Sequence, residues 1–121
     1  MAGYIGNIED QTLKNSNFRQ VLFTGPNSQL VVMSLKPGEE IGAEIHEDLD
    51  QFIRIDAGRA KFILGNQEKE VSDGWAMVVP AGINHNVINI GDENLKLYTI
   101  YSPPEHPDGT ILKTKAEAKK H

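Results

Sequence analysis

Four side chains that could bind a metal ion occupy two separate stretches of the sequence. Glu44 and His46 are two residues apart, so on an extended strand they would point to the same face. Gln51 opens the apolar run QFIRI after the acidic turn EDLD, and His85 lies later, in GWAMVVPAGINHNVIN. A carboxylate, imidazoles and an amide oxygen can all ligate a divalent transition metal. We therefore predict that these four residues form one metal site.

A metal ion held in this way would polarise a carbonyl or hydroxyl oxygen, or would activate water or oxygen. The ligand set suits zinc, manganese, iron or nickel, and the sequence does not choose among them. Two histidines with one carboxylate is also the set that non-haem iron oxygenases use. The alternative is a site without metal, in which Glu44 and Gln51 make polar contacts with His46.

The elements that must position these residues are short β-strands separated by turn signals. The turn at Pro80 and Gly82 comes just before His85 and is expected to aim this histidine into the interior. No alternation of strands with helices is visible, so we predict an all-β protein whose sheets form a jelly roll, or double-stranded β-helix. Short helices are predicted near 10–14 and, from the capping-box spacing of TKAE, over 114–120. The predicted strands cover 18–24, 29–35, 41–46, 51–57, 60–64, 68–71, 75–79, 85–90 and 95–101.

The same stretches resemble the two sequence motifs of the cupin family. The second motif is complete, with Gly74, Pro80, Gly82, His85 and Asn89. The first motif keeps Gly38, His46 and Gly58. It departs at Glu44, where the family usually has histidine, and at Gln51, where the family usually has glutamate. The ligand set still contains one carboxylate, so its formal charge is unchanged.

This resemblance implies a single RmlC-like cupin domain over 1–121, with the barrel over about 18–102 and a loop and tail over 103–121. Among cupins, the chain is similar to short bacterial proteins described as mannose-6-phosphate-isomerase-like or sugar-phosphate-isomerase-like. The similar segments are EIHEDLDQFIRI, VPAGINHNVIN and LYTIYSPPEHPDG. The likeness implies a metal-dependent isomerase or lyase acting on a sugar-like or small carbonyl compound, without identifying a general base.

Other functions stay open for such a barrel. Glutamine at the fourth ligand position also resembles cupins that act on unsaturated uronates and cupin hydroxynitrile lyases. A metal-dependent dioxygenase and a non-catalytic module that binds a small metabolite are the alternatives. No glycine-rich loop opens a helix, and no inward arginine or lysine is evident, which counts against a phosphorylated substrate. Arg54 is two residues from Phe52 on the same predicted strand, so both lie on the face opposite to Gln51, and Arg54 is predicted to point outward.

The segment after the last long strand, PPEHPDG, contains prolines that exclude a central strand or a helix. Glu105 and His106 could form a rim over the metal. We favour instead a solvated loop that crosses the barrel surface. Tyr101 is interpreted as a core tyrosine rather than as a pocket residue.

Composition limits the partners. The chain has 121 residues, the length of one domain, and its net charge of -5 argues against nucleic acid as a partner. No apolar run is long enough to cross a membrane, there is no secretory signal and there is no cysteine, so a cytoplasmic location is expected. The apolar run 18–24 needs a partner edge. Because small cupins commonly pair, the resemblance implies a homodimer that binds a small molecule such as a carbohydrate.

Overall fold

Two antiparallel β-sheets pack against each other in a computed structural model that describes residues 2–118. The core between them draws on both sheets, for example Val31 and Ile53 from the larger and Phe62 and Val87 from the smaller. This arrangement confirms the predicted jelly roll. The elements are α1 (Ile8–Lys14), β1 (Arg19–Thr24), β2 (Gln29–Leu35), β3 (Asp50–Ala57), β4 (Ala60–Leu64), β5 (Gln67–Val71), β6 (Ala76–Val79), β7 (His85–Asn89), β8 (Leu95–Ser102), β9 (Ile111–Leu112) and α2 (Lys115–Ala118).

The larger sheet has the strand order β6-β3-β8-β2-β1-β9, and the smaller has the order β5-β4-β7. Directly paired residues share a face of a sheet. One inward row of the larger sheet is polar, with Gln29, Tyr101 and Gln51. The next inward row contains Val21, Val31, Thr99 and Ile53, which is mainly apolar. The register therefore places a polar end of the barrel beside a closely packed apolar centre.

The predicted strand 41–46 is not a regular strand. Its contacts with β7 include a hydrogen bond from the Ile41 N–H to the Val87 carbonyl at 2.9 Å and two isolated bridges, Glu40 with Ile88 and Glu44 with His85. Gly42 lies between them with φ of 111°, a conformation that interrupts an extended run. Its N–H is bonded to a side chain, the Oδ1 of Asn86, at 2.9 Å. Glu44 and His46 are thus presented by an irregular segment that is tied to β7 at single points.

The outer face of the larger sheet is covered in part by α1, whose Thr12 is fully buried. Arg54 points to this side, as predicted, and forms an ion pair with Asp56 at 3.1 Å.

β1 pairs with β2 along one edge, whereas on the other edge only Arg19 and Gln20 pair with β9 and the Val21 N–H donates to the Thr110 carbonyl at 2.9 Å. Among the described residues, positions 22–24 have no strand partner on that second edge, so the homodimer stays a prediction.

Both predicted helices form. The Oδ1 of Asn7 accepts a hydrogen bond from the Asp10 N–H at 3.1 Å and caps α1. In α2, the Thr114 hydroxyl accepts from the Glu117 N–H at 3.2 Å, as the capping spacing predicts. The predicted end of this helix, 119–120, lies outside the described residues. None of the helices described within 2–118 is long and apolar enough to cross a membrane.

Candidate functional site

Glu44 and His46 lie next to His85 at the polar end of the barrel. Backbone hydrogen bonds of 3.0 Å run in both directions between Glu44 and His85, and the Gly82 N–H donates to the His46 carbonyl at 2.8 Å. Gly82 has φ of 86°, so the Pro80–Gly82 turn depends on glycine at this position. These bonds hold the irregular segment against the start of β7. They place three of the four predicted ligands in one region.

The side chains of these residues approach each other closely. The Oε2 of Glu44 is 3.1 Å from the Nε2 of His46, and the imidazole centroids of His46 and His85 are 5.3 Å apart. No group of three or more His, Cys, Asp or Glu side chains within 2–118 could hold a metal ion as the side chains stand. The fourth predicted ligand, an amide, is of another type.

His85 is buried, and its Nδ1 is 3.2 Å from the carbonyl oxygen of Ile83. A carbonyl oxygen only accepts, so a hydrogen bond between these atoms requires the proton on Nδ1. In the neutral ring the Nε2 of His85 then keeps its lone pair. This is the arrangement in which a histidine ligand is oriented by a backbone carbonyl.

Gln51 is 2% exposed and sits in the polar inward row. Its Nε2 donates to the Thr99 hydroxyl at 2.9 Å, which orients the amide. The Oε1 of Gln51 is buried without a hydrogen-bond partner among the described residues. Buried carbonyl oxygens normally have a partner, so this one is available to a ligand. Thr99 was not among the predicted site residues, although it shares the parity of Tyr101 on the same strand.

The loop after β8 is fixed at this end of the barrel by Gln29. The Oε1 of this buried glutamine accepts hydrogen bonds from the N–H groups of Glu105 and His106 at 3.1 and 3.0 Å. Its Nε2 donates to the His106 carbonyl at 2.7 Å. Glu105 is thereby placed with Oε2 3.8 Å from the Nδ1 of His46. Glu105 is exposed, as a solvated loop predicts, whereas His106 is half-buried against this end of the barrel. A rim over a metal ion stays a prediction.

Tyr101 and His106 form the wall between this loop and the metal-ligand candidates. The Tyr101 ring is 5.1 Å from that of His106 and 6.1 Å from that of His46, in edge-on contacts. Burial raises the pKa of Tyr101 to about 12, against an opposing effect of Arg19, so the phenol keeps its proton at neutral pH. Burial, with the nearby Arg19 and His46, lowers the pKa of His106 to about 4. Tyr101 is thus both a buried residue and a neighbour of the site.

A cavity of about 720 Å³ adjoins Glu44. Arg19, His106 and Lys115 line it together with apolar side chains such as Ile41 and Leu112. The expectation that no arginine points inward is wrong, because Arg19 is 8% exposed and faces this cavity. The alternation of side chains along β1 could have predicted this. Arg19 is two residues from the buried Val21, so the two side chains share a face.

The sequence and fold of this chain are similar to those of several known proteins. The cupin domain model matches residues 31–101. The crystal structure of BH2720 from Bacillus halodurans has a TM-score of 0.96 and 46% identity, covering 98% of this chain and 94% of that one. YrkC of Bacillus subtilis is 49% identical over 95% of this chain, and L612 of Acanthamoeba polyphaga mimivirus is 47% identical over 89%. Both are described as uncharacterized proteins, and the chain spans 65% of YrkC and 70% of L612.

Proposed function

The chain belongs to the cupin family, and we propose that it is a metal-dependent member that acts on a sugar-like or small carbonyl compound by isomerase or lyase chemistry. The observation that carries this proposal is the buried Oε1 of Gln51, which has no hydrogen-bond donor in the described chain. Gln51 is paired with Tyr101, whose ring contacts the His46 ring. A divalent cation would give this oxygen the partner that it lacks.

The residues present fit such a cation. Glu44, His46 and His85 would supply one carboxylate oxygen and two imidazole nitrogens, and Gln51 would supply its amide oxygen. Two atoms that bind one transition metal at about 2.0–2.1 Å are about 3 Å apart. The observed 3.1 Å between Glu44 and His46 agrees with that spacing as well as with a hydrogen bond. Glu44 and His46 therefore need little rearrangement to share a cation. Side chains must shift, however, before His85 joins them, because no group of three such residues within 2–118 could hold a metal ion as the side chains stand.

When bound, the metal would polarise a carbonyl or hydroxyl oxygen of the substrate. The chain's own groups prepare the site for this. Glu105 lies beside the Nδ1 of His46 and favours the ring orientation in which Nε2 faces Glu44. Tyr101 remains protonated at neutral pH, so the side chain beside the site is uncharged. We assign Glu105 a positioning role and Glu44 the role of ligand.

The test is the metal content of protein purified without a histidine tag. We expect stoichiometric metal in the wild type and a large loss in Glu44→Ala and in His85→Ala, because each removes one ligand. Glu68→Ala is the control, since Glu68 is exposed on β5 of the other sheet. Sub-stoichiometric metal in the wild type that Glu44→Ala does not reduce further would remove the proposal.

A dioxygenase is the second candidate, favoured by the two histidines and one carboxylate that meet at this end of the barrel. Iron-loaded protein that consumes oxygen with small organic substrates would support it. Turnover with zinc, manganese or nickel and no oxygen would support isomerase or lyase chemistry. A metal-free barrel that still binds metabolites would identify a non-catalytic module.

We also propose a homodimer, and a second strand edge supports it. β6 is an edge strand of the larger sheet, and its Val78 is 62% exposed. Trp75, just before this strand, is also exposed. An apolar edge of this kind favours pairing with a second copy. Light scattering at micromolar concentration tests it, and a monomer mass would end the proposal.

A further inference from the structure

Arg19 is a buried cation that the described chain does not neutralise. It opens β1 between Met33 of β2 and Leu112 of β9. No carboxylate of residues 2–118 lies within ion-pair distance of its guanidinium. Its Nε is also buried without a hydrogen-bond partner within that range. Buried arginines are normally paired, so this one calls for an explanation.

The contacts that Arg19 does make leave its charge available. The guanidinium carbon is 5.3 Å from the centroid of the Phe18 ring, a cation–π contact that is weaker than a bidentate bond to a carboxylate. The guanidinium also approaches the Tyr101 phenol, which is a neutral group, and favours its ionisation. Its charge opposes protonation of the His106 ring as well. Arg19 is thus an uncompensated positive centre on the cavity wall.

Other residues that line the cavity also favour an anion. Lys115 adds a second cation to the lining, and His106 adds a buried Nε2 without a partner among the described residues. Glu44 is the carboxylate among the lining residues, and the proposed function gives it to the metal. The cavity wall beside the proposed metal ligands therefore carries two cations, and two of its residues, Arg19 and His106, each have a buried nitrogen without a partner among the described residues.

We propose that Arg19 anchors a subsite for the carboxylate group of a small organic acid. The planar guanidinium fork matches a carboxylate in a bidentate manner. Glu44 on the same wall disfavours a doubly charged phosphate more than a singly charged carboxylate. The inference rests on the proposed function in one respect, that the cavity holds the substrate, and it names the substrate's chemical class. The carboxylate lies at Arg19, and the rest of the molecule extends towards Glu44.

The experiment follows the Nε–Hε resonance of Arg19 by NMR, with the Arg54 resonance as the internal reference. The full chain, as purified and after chelation of metal, is titrated with acetate, pyruvate and glucuronate. Each acid is matched with an uncharged counterpart: acetamide, acetone and glucose. We expect the three acids to shift the Arg19 resonance in both preparations and the counterparts to leave it in place. An Arg19 resonance that none of the acids moves, or that the counterparts move equally, overturns the proposal.

Variants of Arg19 test the same subsite. Arg19→Gln should weaken the binding of these acids by about tenfold or more, and Arg19→Lys should retain part of it. Inorganic phosphate that binds Arg19 more tightly than every acid would overturn the assignment to a carboxylate. Arg19→Met removes the unpaired charge while keeping a long apolar side chain, so its thermal midpoint should equal or exceed that of the wild type. A lower midpoint with unchanged acid affinity would show a purely structural arginine and overturn the subsite.

The two proposals fail separately. If the Arg19 resonance responds to the acids but Glu44→Ala leaves the metal content unchanged, the subsite stands and the metal-dependent function does not. If metal binding depends on Glu44 while the resonance does not respond, the metal site stands and the subsite is removed.

Discussion

The larger sheet has one arginine on each face, and the two differ in whether a carboxylate pairs with them. On the outer face, Arg54 forms a 3.1 Å ion pair with Asp56. On the inner face, Arg19 has no carboxylate partner in the described chain and faces a cavity. The same chemical group is thus neutralised where the sheet is covered by α1 and left unpaired where the barrel is open.

Buried atoms without partners follow the same division. Those of the described residues belong to Arg19, Gln51, Asp56 and His106. All but the Asp56 oxygen lie around the polar end of the barrel. Because unsatisfied buried groups lower stability, their concentration at one end indicates a binding site that the fold maintains at some cost. Buried polar atoms without hydrogen-bond partners, rather than charges alone, therefore distinguish the inner face of the larger sheet from its outer face.

Among substitutions that test this difference between the two faces, Gln51→Glu is expected to change stability most, because it adds a second carboxylate to the inner face. In chelated protein the buried charge should lower the free energy of unfolding by about 3 kcal/mol. Added zinc or manganese should recover much of that loss, because the variant restores the usual cupin carboxylate. Urea denaturation with and without metal measures both, and Gln67→Glu on the exposed β5 is the control. A loss that neither metal reverses would contradict the metal interpretation of the inner face.

A smaller effect is expected from Gln29→Ala, which removes three hydrogen bonds to the loop at Glu105 and His106. The free energy of unfolding should fall by about 2 kcal/mol. Amide hydrogen exchange at these two residues should also become faster, because their N–H groups lose their acceptor. Gln67→Ala is the matched exposed control. Unchanged exchange at both amides would show that the loop is held by other contacts.

The smallest effect is expected on the outer face, from Asp56→Asn. Burial raises the pKa of Asp56, opposed in part by Arg54. Since the folded state binds this proton more tightly than the unfolded state, the charged form destabilises the protein above the folded pKa. The variant should therefore gain less than about 1 kcal/mol at neutral pH, and its stability should rise less than that of the wild type as the pH falls through that pKa. Thermal melts against pH measure this, with Asp73→Asn as the exposed control. A variant less stable than the wild type at neutral pH would show that the ion pair outweighs burial.

Strand parity explains how much of this arrangement could be predicted. Parity alone puts Gln51 inward and Arg54 outward, since alternate residues of a strand share a face. Applied equally to β1, the same rule puts Arg19 beside Val21 on the inner face. The parity argument is weaker for Glu44 and His46, because Gly42 interrupts their strand. There the two side chains meet through bonds to β7 and to the Pro80–Gly82 turn.

Local pattern therefore specified the jelly roll and the inward candidates, because turn residues and alternation act over a few neighbouring positions. Tertiary contacts decided the rest of the site. The side chain of Gln29 holds a loop that lies 76 and 77 positions away, and Gln51 meets Thr99 across 48 positions. Such contacts arise only when distant strands pair in one register, and no short-range pattern encodes which polar groups that register leaves without a partner.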